Sequence, residues 1–596
     1  MKSVVFAILA LACAITRGAD KTNAPPFEIR GTLPWHNFLS GPTAWNEADY
    51  RAYLDLLATN GLNFVGFHCY TGGGERYVSY VEPIIRVQYR DVLPEATFDT
   101  SLTSRWGYRP LAVRDFVFGT DKLFKLPVGA EAFGADNAVT AHTKEERYRN
   151  AHDLMRKVIA MAHARGIQVA VGFEFGVHPP ELASIVSSDS RIPGALIPDP
   201  THPANIEILH SELDDILHEY PGVDWVWLWL HEHSMYVAPP SLNGRFAEFV
   251  QQERTNFDYV TNWKDAFIGL WSLAQIRQAR DYLAVHSPRT RLAIGGWGGN
   301  LQLPPILRGL DRALPTNIVF SCLNPNMGRE GNEPALAEIA SHRPVWAIPW
   351  FEGDSALWHL QLRAASVSAQ VRAAHKDRFA GVIGIHWRTE EILPNLEAFA
   401  TTARDPEHAP PAEELYRLHC VRRYGEASRE IAPLLLRLEQ DGQLGNVRSA
   451  EYYPYDPGWG RVSPELAEKL TNAIDLVQRL ESSLPATSPQ RTNLDWLADN
   501  FRFTLLLDGV SRKMESAYVL KYKSFLGPTD ANALKTEARA ARKQLDAAPM
   551  KELFQTFARR VRSRGELGEL SSLNQKVWTE YRELDQFLAA AGAPTK

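Results

Sequence analysis

Across residues 27–406, short apolar runs alternate with longer segments in which apolar residues recur every three or four positions. The first pair is typical: the run at 27–36 precedes a segment with one apolar helical face, which has Asn46 as its N-cap and ends at Gly61. The pattern predicts eight strands, at 27–36, 63–70, 167–176, 223–233, 291–299, 317–324, 343–354 and 379–388. Nearly continuous apolar runs are typical of parallel strands that are buried on both faces. We therefore predict an α/β fold, a (β/α)₈ TIM barrel over residues 27–406.

Helical segments separate these strands. They are predicted near 46–61, 143–166, 203–219, 262–284, 304–313, 334–341 and 357–376. The second begins with a capping box, in which Thr143 and Glu146 satisfy backbone N–H groups at the helix start. The connection at 71–142 is longer than an ordinary loop, so we predict a functional insertion over the barrel mouth.

The strand pattern stops after residues 405–411, and the rest of the chain has helical periodicity. Helices are predicted near 411–424, 464–484, 530–547 and 566–590, with a further apolar stripe at Leu494, Leu497, Phe501 and Leu505. We expect an all-α C-terminal domain over 411–596. Prolines and glycines interrupt it at 451–461, where the aromatic side chains include Tyr455 and Trp459. This segment either seals the interface between the domains or reaches the barrel mouth.

Two of the predicted strands end in a lone glutamate, Glu232 after strand four and Glu352 after strand seven. In a (β/α)₈ barrel both positions lie at the rim where active sites are built. Cleavage of a glycoside needs such a pair, because one carboxyl group protonates the leaving oxygen while the other attacks the anomeric carbon or activates water. The alternative is that each glutamate pairs with a nearby arginine such as Arg30 or Arg388.

Aromatic and polar side chains cluster near the predicted strand ends, and the chain has 16 tryptophans. An indole face stacks on the C–H face of a pyranose, so these positions predict a carbohydrate substrate. For any one tryptophan, packing in the core is the alternative. The candidate substrate-binding residues are Trp35, His36, His68, Glu174, His231, His233, Trp297, Trp350, His386, Trp387, Arg388, Tyr455 and Trp459.

With these residues at the strand ends, the segment 27–406 resembles the barrel of the 4/7 (clan A-like) glycoside hydrolases. The resemblance implies that Glu232 is the acid/base, that Glu352 is the nucleophile and that Trp387 lines the sugar site. The sequence departs from the family at His231, where the family usually has Asn. A barrel followed by a helical domain is also distantly similar to bacterial α-glucuronidases, although those carry a β-rich domain before the barrel. Because the insertion at 71–142 should close one side of the mouth, we expect a pocket and exo action on oligo- or polysaccharides.

Two other classes of function compete with this hypothesis. Histidines near the strand ends are compatible with a metal-dependent hydrolase on a TIM barrel, but the HxH motif of the amidohydrolase type is missing from strand one. A carbohydrate-binding pseudoenzyme would keep the aromatic residues without hydrolysis. Neither a glycine-rich phosphate motif nor a GxSxG elbow stands out in a suitable context, so we predict no cofactor and no metal.

Composition bears on the partners, the localisation and the disulfide content of the protein. The 596-residue chain is 45% hydrophobic and 22% charged, with a net charge of −6 and no long basic run, which argues against nucleic acid as a partner. Lys2 precedes an apolar run that is too short to span a bilayer, so we predict a signal peptide at 1–19 and no stable membrane insertion of the mature chain. A secreted or periplasmic protein follows; the ALAC sequence at 10–13 is a weak lipoprotein-like signal. Beyond the signal, three cysteines give no disulfide framework.

Overall fold

The computed structural model describes residues 25–71, 84–94, 111–195, 197–231, 239, 242, 244–299, 301–449, 454–527 and 530–593. Its strands are β1 (Ile29–Pro34), β2 (Phe64–Cys69), β3 (Gln168–Phe175), β4 (Trp225–Leu230), β5 (Arg291–Gly295), β6 (Val319–Leu323), β7 (Val345–Ile348) and β8 (Gly381–His386). They form a closed barrel in which each strand pairs in parallel with the next and β8 pairs with β1. The predicted eight-stranded barrel is confirmed.

Helices surround the barrel and make up the C-terminal part of the chain. Those of the barrel part are α1 (Glu47–Thr59), α2 (Asp136–Val139), α3 (Lys144–His163), α4 (Pro180–Ala183), α5 (Pro203–Glu219), α6 (Gly244–Glu253), α7 (Trp263–His286), α8 (Leu307–Ala313), α9 (Pro325–Gly328), α10 (Pro334–Ile339), α11 (Ala364–Lys376) and α12 (Leu393–Arg404). The C-terminal helices are α13 (Ala412–Tyr424), α14 (Ser428–Asp441), α15 (Pro464–Ser482), α16 (Pro489–Leu526), α17 (Ala531–Leu545), α18 (Met550–Arg560), α19 (Arg564–Leu573) and α20 (Thr579–Ala590). Among the described residues after Arg404, every regular element is helical, as predicted.

Local signals set several of the helix ends. Thr143 and Glu146 form the predicted capping box at the start of α3, and Asn46 forms one with Asp49 at the start of α1. The helix predicted over 357–376 instead begins at Ala364. The preceding chain folds back on itself because the Gln361 carboxamide bonds both the N–H and the carbonyl of Gly353, at 2.7 and 2.8 Å.

Alternate residues of each strand face opposite sides of the barrel wall. On β4, the aliphatic side chains pack against the helices, while Trp225, Trp227 and Trp229 fill the lumen. Glycines on β2 and β5 leave room for these indoles: a β-carbon at Gly66 would lie 2.6 Å from the ring of Trp227, and one at Gly295 would lie 2.9 Å from that of Trp229. The lumen is therefore a packed core up to Trp229, and a site must lie above this level.

The helical region docks on the loops that follow β1, β7 and β8. A β-carbon at Gly568 of α19 would come closer than 3.0 Å to the carbonyl oxygen of Leu39, so the helix touches the loop after β1 directly. In the loop after β7, Trp358 packs edge-on against Trp459 at 5.4 Å, and its carbonyl accepts a hydrogen bond from Arg560 of α18. These loops lie at the catalytic rim, so the helical region forms one side of the mouth.

None of the helices in the described ranges is both long enough and apolar enough to cross a membrane.

Candidate active site

Side chains at the carboxyl ends of seven strands form the floor of the barrel mouth. The strand pairing continues into this layer through parallel bridges from Trp35 to His68 and from Trp350 to Ile385. The floor residues, in strand order, are Trp35, His68, Glu174, Trp229 with His231, Trp297, Trp350 and Trp387. Ionisable groups come from β2, β3 and β4, whereas indoles occupy the side of β5, β7 and β8.

Glu174 lies between two imidazoles on the first side. Its Oε1 is 3.4 Å from Nε2 of His68, and its Oε2 is 3.5 Å from Nε2 of His231. Trp35 stacks on the His68 ring at 4.0 Å, and Trp229 meets the same ring edge-on at 5.3 Å. We call these five residues the mouth cluster. All five are buried, and two aromatic planes fix the direction in which His68 faces the carboxylate.

Electrostatics keep one imidazole of the cluster neutral. Burial lowers the pKa of His68 well below its ordinary value, and the nearby His36 and His231 rings lower it further. A neutral imidazole both donates and accepts a hydrogen bond. His68 can therefore serve a hydroxyl group of a ligand without bringing a fixed positive charge to Glu174.

Three indoles form an arc on the other side of the mouth. Trp350 lies 5.7 Å from Trp297 and 5.9 Å from Trp387, measured between ring centroids. The Trp387 indole N–H donates to Asn37 in the loop after β1, at 2.7 Å, and this bond orients the ring. We call Trp297, Trp350 and Trp387 the aromatic arc; all three are among the substrate-binding residues predicted from the sequence, and that role stays a prediction.

The structure places Glu352 after β7, as predicted, but in an ion pair. Its Oε1 accepts hydrogen bonds from the backbone N–H groups of Trp387 and Arg388, at 2.8 and 2.6 Å. Its Oε2 accepts one from Nε of Arg388 at 2.8 Å, and both side chains are fully buried. This is the alternative interpretation, in which the glutamate pairs with an arginine after strand eight. The geometry favours a role in holding the loop after β8.

Arg388 and His386, at the end of β8, were predicted to bind substrate, and their contacts in the structure correct this prediction. The Arg388 guanidinium donates to Glu352 and to the carbonyl of His359, and it is fully buried. His386 faces the helices: its Nε2 lies 2.6 Å from the Tyr53 hydroxyl and its Nδ1 lies 2.8 Å from the carbonyl of Arg388. Burial lowers the pKa of His386 to about 4, so it is a neutral part of the wall.

Three further candidates also lie outside the floor. His36 meets Phe67 edge-on, on the helix side of the wall. Tyr455 is buried with its hydroxyl 2.7 Å from that of Ser511, and Trp459 packs between Tyr455 and Trp358. The segment around Tyr455 and Trp459 therefore seals the interface between barrel and helices, which was the alternative to a place in the mouth.

Glu232 and His233 lie outside the described residues. The described chain before them ends β4 at Leu230 and contributes His231 to the mouth cluster. The predicted roles of Glu232 and His233 stay predictions.

Sequence reasoning missed two polar residues that support the floor. Tyr70 accepts a hydrogen bond from the Trp35 indole at 3.2 Å; its spacing of two residues from His68 was a signal that both face the lumen. Gln302 donates to the carbonyl of His231 at 2.7 Å and accepts from the backbone N–H of Trp297 at 2.9 Å. It follows β5 in a loop, where no periodic pattern marks it.

The metal-dependent alternative finds its ligands elsewhere. In the described part of the chain, three potential metal ligands come within 4.8 Å of one another at one place, formed by His152 of α3 with Asp215 and Glu219 of α5. These helices lie outside the barrel wall. The described residues of the mouth therefore give this alternative no support.

No family model matches the sequence, and no curated protein matches it. A family 89 glycoside hydrolase from Clostridium perfringens, solved in complex with 2-acetamido-1,2-dideoxynojirmycin, aligns with a TM-score of 0.53 and 12% identity, over 96% of this chain and 64% of that longer chain. The chain thus shares the fold of this solved structure. Weaker likenesses are to a family 138 enzyme targeting pectin rhamnogalacturonan II (TM-score 0.46, 11% identity, 95% and 85% covered) and to an O-GlcNAc hydrolase from Thermobaculum terrenum (0.45, 14%, 95% and 97%).

Proposed function

We propose that this chain is a glycoside hydrolase that acts on a carbohydrate at the mouth of its barrel. The observation that supports this most is the two-sided floor, with Glu174 between two imidazoles on one side and the aromatic arc on the other. A sugar ring requires both apolar faces and convergent polar groups. Because one fold hosts many chemistries, the proposal rests on this floor and not on the fold. The glycoside hydrolase name of the Clostridium perfringens structure is consistent with it.

In this proposal Glu232 protonates the leaving oxygen. It directly follows His231 at the end of the fourth predicted strand, and the resemblance to the 4/7 hydrolases implies the acid/base at this position. The resemblance to the 4/7 hydrolases implies Glu352 as its partner. The three hydrogen bonds that Glu352 accepts support a structural role for it instead.

We also propose exo action on oligo- or polysaccharides by a secreted or periplasmic enzyme. The helical region builds up the rim beside β1, β7 and β8, and the long connection follows β2 on the other side of β1. With the helical region on one side and the predicted insertion on another, the mouth would admit a chain end more readily than the middle of a polymer. A time course on an oligosaccharide labelled at its reducing end tests this, since exo action shortens the chain by one unit at a time.

The proposed activity is tested by release of the aryl group from a panel of aryl glycosides that includes uronides. We expect turnover of at least one member by the wild type and strong loss in Glu232→Gln. The matched control is Glu212→Gln: Glu212 is buried outside the wall against Thr71, and burial raises its pKa to about 8, so the neutral amide replaces an already protonated group. No turnover by a folded wild type would refute the proposal.

A carbohydrate-binding pseudoenzyme is the second candidate, because Glu352 is engaged in its ion pair while the aromatic arc is intact. It predicts saturable sugar binding by calorimetry, lowered by Trp350→Ala, with no product at any pH. Turnover that depends on Glu232 excludes it.

A further inference from the structure

The loop after β6 contains a turn with an uncommon backbone conformation. Three successive residues, Asn326, Met327 and Gly328, have positive φ angles of 50°, 52° and 70°. Glycine and asparagine tolerate this left-handed region, but a methionine there is uncommon, because its Cβ approaches the following carbonyl oxygen. Such conformations persist only where the surrounding structure holds them, and they cluster at active sites and ligand clamps. We call these three residues the left-handed turn.

The left-handed turn lies directly against one indole of the aromatic arc. A β-carbon at Gly328 would lie 2.6 Å from Cβ of Trp350 and 2.9 Å from two atoms of its indole ring. Real β-carbons do not make contacts this close, so only a glycine leaves room for the indole. Trp350 is also the indole of the arc that contacts both of the others, Trp297 and Trp387. The turn therefore limits the side-chain rotation of Trp350 at the centre of the arc.

Two buried side chains of the α11 region hold the left-handed turn in place. The Gln370 carboxamide donates to the carbonyl of Gly328 at 2.8 Å and accepts from the carboxamide of Asn324 at 2.9 Å. The guanidinium of Arg363, the N-cap residue of α11, donates to the carbonyl of Met327 at 2.9 Å. Asn324 also accepts a hydrogen bond from the last backbone N–H of β7 at 3.3 Å. Gln370 thus ties the turn to the strand that precedes Trp350.

We infer that Gln370 is a positioning residue for Trp350, an inference that rests on the proposed carbohydrate site. By holding the carbonyl of Gly328, Gln370 keeps the left-handed turn from relaxing, and the turn keeps the indole in the orientation on which a sugar ring stacks. Without this clamp the turn leaves a region that methionine disfavours, and the indole gains a second orientation. A helix outside the barrel wall then sets the affinity of the mouth for its sugar.

The first test observes the indole itself, by fluorine NMR of the full chain labelled with fluorinated tryptophan. The line of Trp350 is the one that disappears in Trp350→Phe. Gln370→Met keeps the length of the side chain but removes both hydrogen bonds, so we expect the Trp350 line to shift or to split. The control is Ser368→Ala on the same helix. Ser368 is fully buried and lies 2.8 Å from the hydroxyl of Thr402 on α12, so its loss should leave the line in place.

The second test measures the affinity for the best aryl glycoside. Loss of one well-placed aromatic contact weakens binding about 2–10-fold, so Gln370→Met should raise KM by this factor and leave kcat within about twofold. Trp350→Ala should raise KM at least as much. Adding Gln370→Met to Trp350→Ala should change KM little further, because the clamp acts through the indole. A residue that only stabilises the fold would give neither this KM effect nor this dependence on Trp350.

Distinct results separate failure of this inference from failure of the proposed function. If the wild type turns over, an unmoved Trp350 line or an unchanged KM in Gln370→Met overturns the inference and leaves the glycosidase standing. Equal effects of Gln370→Met and Ser368→Ala also overturn it. If the wild type binds sugar without turnover, the hydrolysis fails, and the dissociation constant from calorimetry replaces KM with the same expectation. If Gln370→Met does not fold by circular dichroism, Gln370→Glu takes its place, since it keeps the acceptor for Asn324 and loses the donor to Gly328.

Discussion

Replacing Arg388 by methionine should destabilise the barrel, because the Glu352 carboxylate would stay buried without its cation. Both side chains are 0% exposed, and Nε of Arg388 lies 2.8 Å from Oε2 of Glu352. Removing one partner of a buried ion pair costs about 3–5 kcal/mol. Two backbone N–H groups still donate to Glu352 in the variant, so we expect the lower end, about 3 kcal/mol.

This loss translates into a measurable shift of the melting temperature. An unfolding entropy of about 2.1 cal/mol/K per residue, over a barrel of about 380 residues, amounts to about 0.8 kcal/mol/K, so a loss of about 3 kcal/mol lowers Tm by about 4 °C. Differential scanning calorimetry is the assay, because it can resolve a barrel transition from that of the helical region. Adding Glu352→Gln to Arg388→Met should recover part of the stability, since it removes the uncompensated charge.

The matched control is Arg308→Met on α8. Arg308 also pairs with a glutamate, Glu338, at 2.6 Å, but its side chain is 57% exposed. An exposed pair contributes about 0–1 kcal/mol, so we expect a shift of about 1 °C or less. Equal shifts for Arg388→Met and Arg308→Met would refute the reasoning, because burial would then make no difference to the value of the pair.

Three more outcomes follow from the same structure. Glu232→Gln should slow substrates with poor leaving groups about 10²–10⁴-fold and activated aryl glycosides far less, since only the former need protonation; an equal loss on both would contradict a proton donor. Burial raises the pKa of Glu391 above its ordinary 4.5, so its folded form holds a proton that the unfolded chain releases, and stability falls as pH rises above 4.5. The Tm of Glu391→Gln minus the Tm of the wild type should therefore increase between pH 4.5 and 8. A Tm difference that stays constant over this range would contradict the prediction. Gly568→Ala should loosen α19 from the loop at Leu39 and lower Tm, because the added Cβ would clash with the Leu39 carbonyl. Gly509→Ala in α16, where an added Cβ meets open space, should instead raise stability by about 0.5–1 kcal/mol. Similar effects of the two substitutions would argue against the close approach at Gly568.

The sequence alone determined the architecture and the ends of several elements. Apolar runs of strand length that alternate with helical periodicity are a local property, and eight of them with buried-strand character leave few arrangements besides the barrel. Capping boxes such as Thr143 with Glu146 act within one helical turn, so they too can be read without the fold. Since parallel strands bring all their carboxyl ends to one rim, His68, Glu174 and His231 could be assigned to the same mouth.

Only the tertiary structure decided which side of the wall each strand-end residue faces. His386 and Trp387 are neighbours in sequence, yet one faces the helices and the other closes the mouth. A strand that is buried on both faces is apolar throughout, so its sequence lacks the contrast that would reveal which residues face the lumen. For the same reason the sequence did not show how high along the barrel each tryptophan lies. Trp227 fills the lumen, whereas Trp350 lies in the aromatic arc above it.

Pairings across long stretches of chain were equally invisible in the sequence. Glu352 and Arg388 are 36 residues apart, and they meet because the loops after β7 and β8 are adjacent in the closed barrel. Local patterns report each residue's own helix or strand, whereas a buried charge takes its partner from whichever element packs on it. For this reason the sequence named the glutamates of the rim, and the fold showed that Glu352 pairs with Arg388 while Glu174 faces two imidazoles.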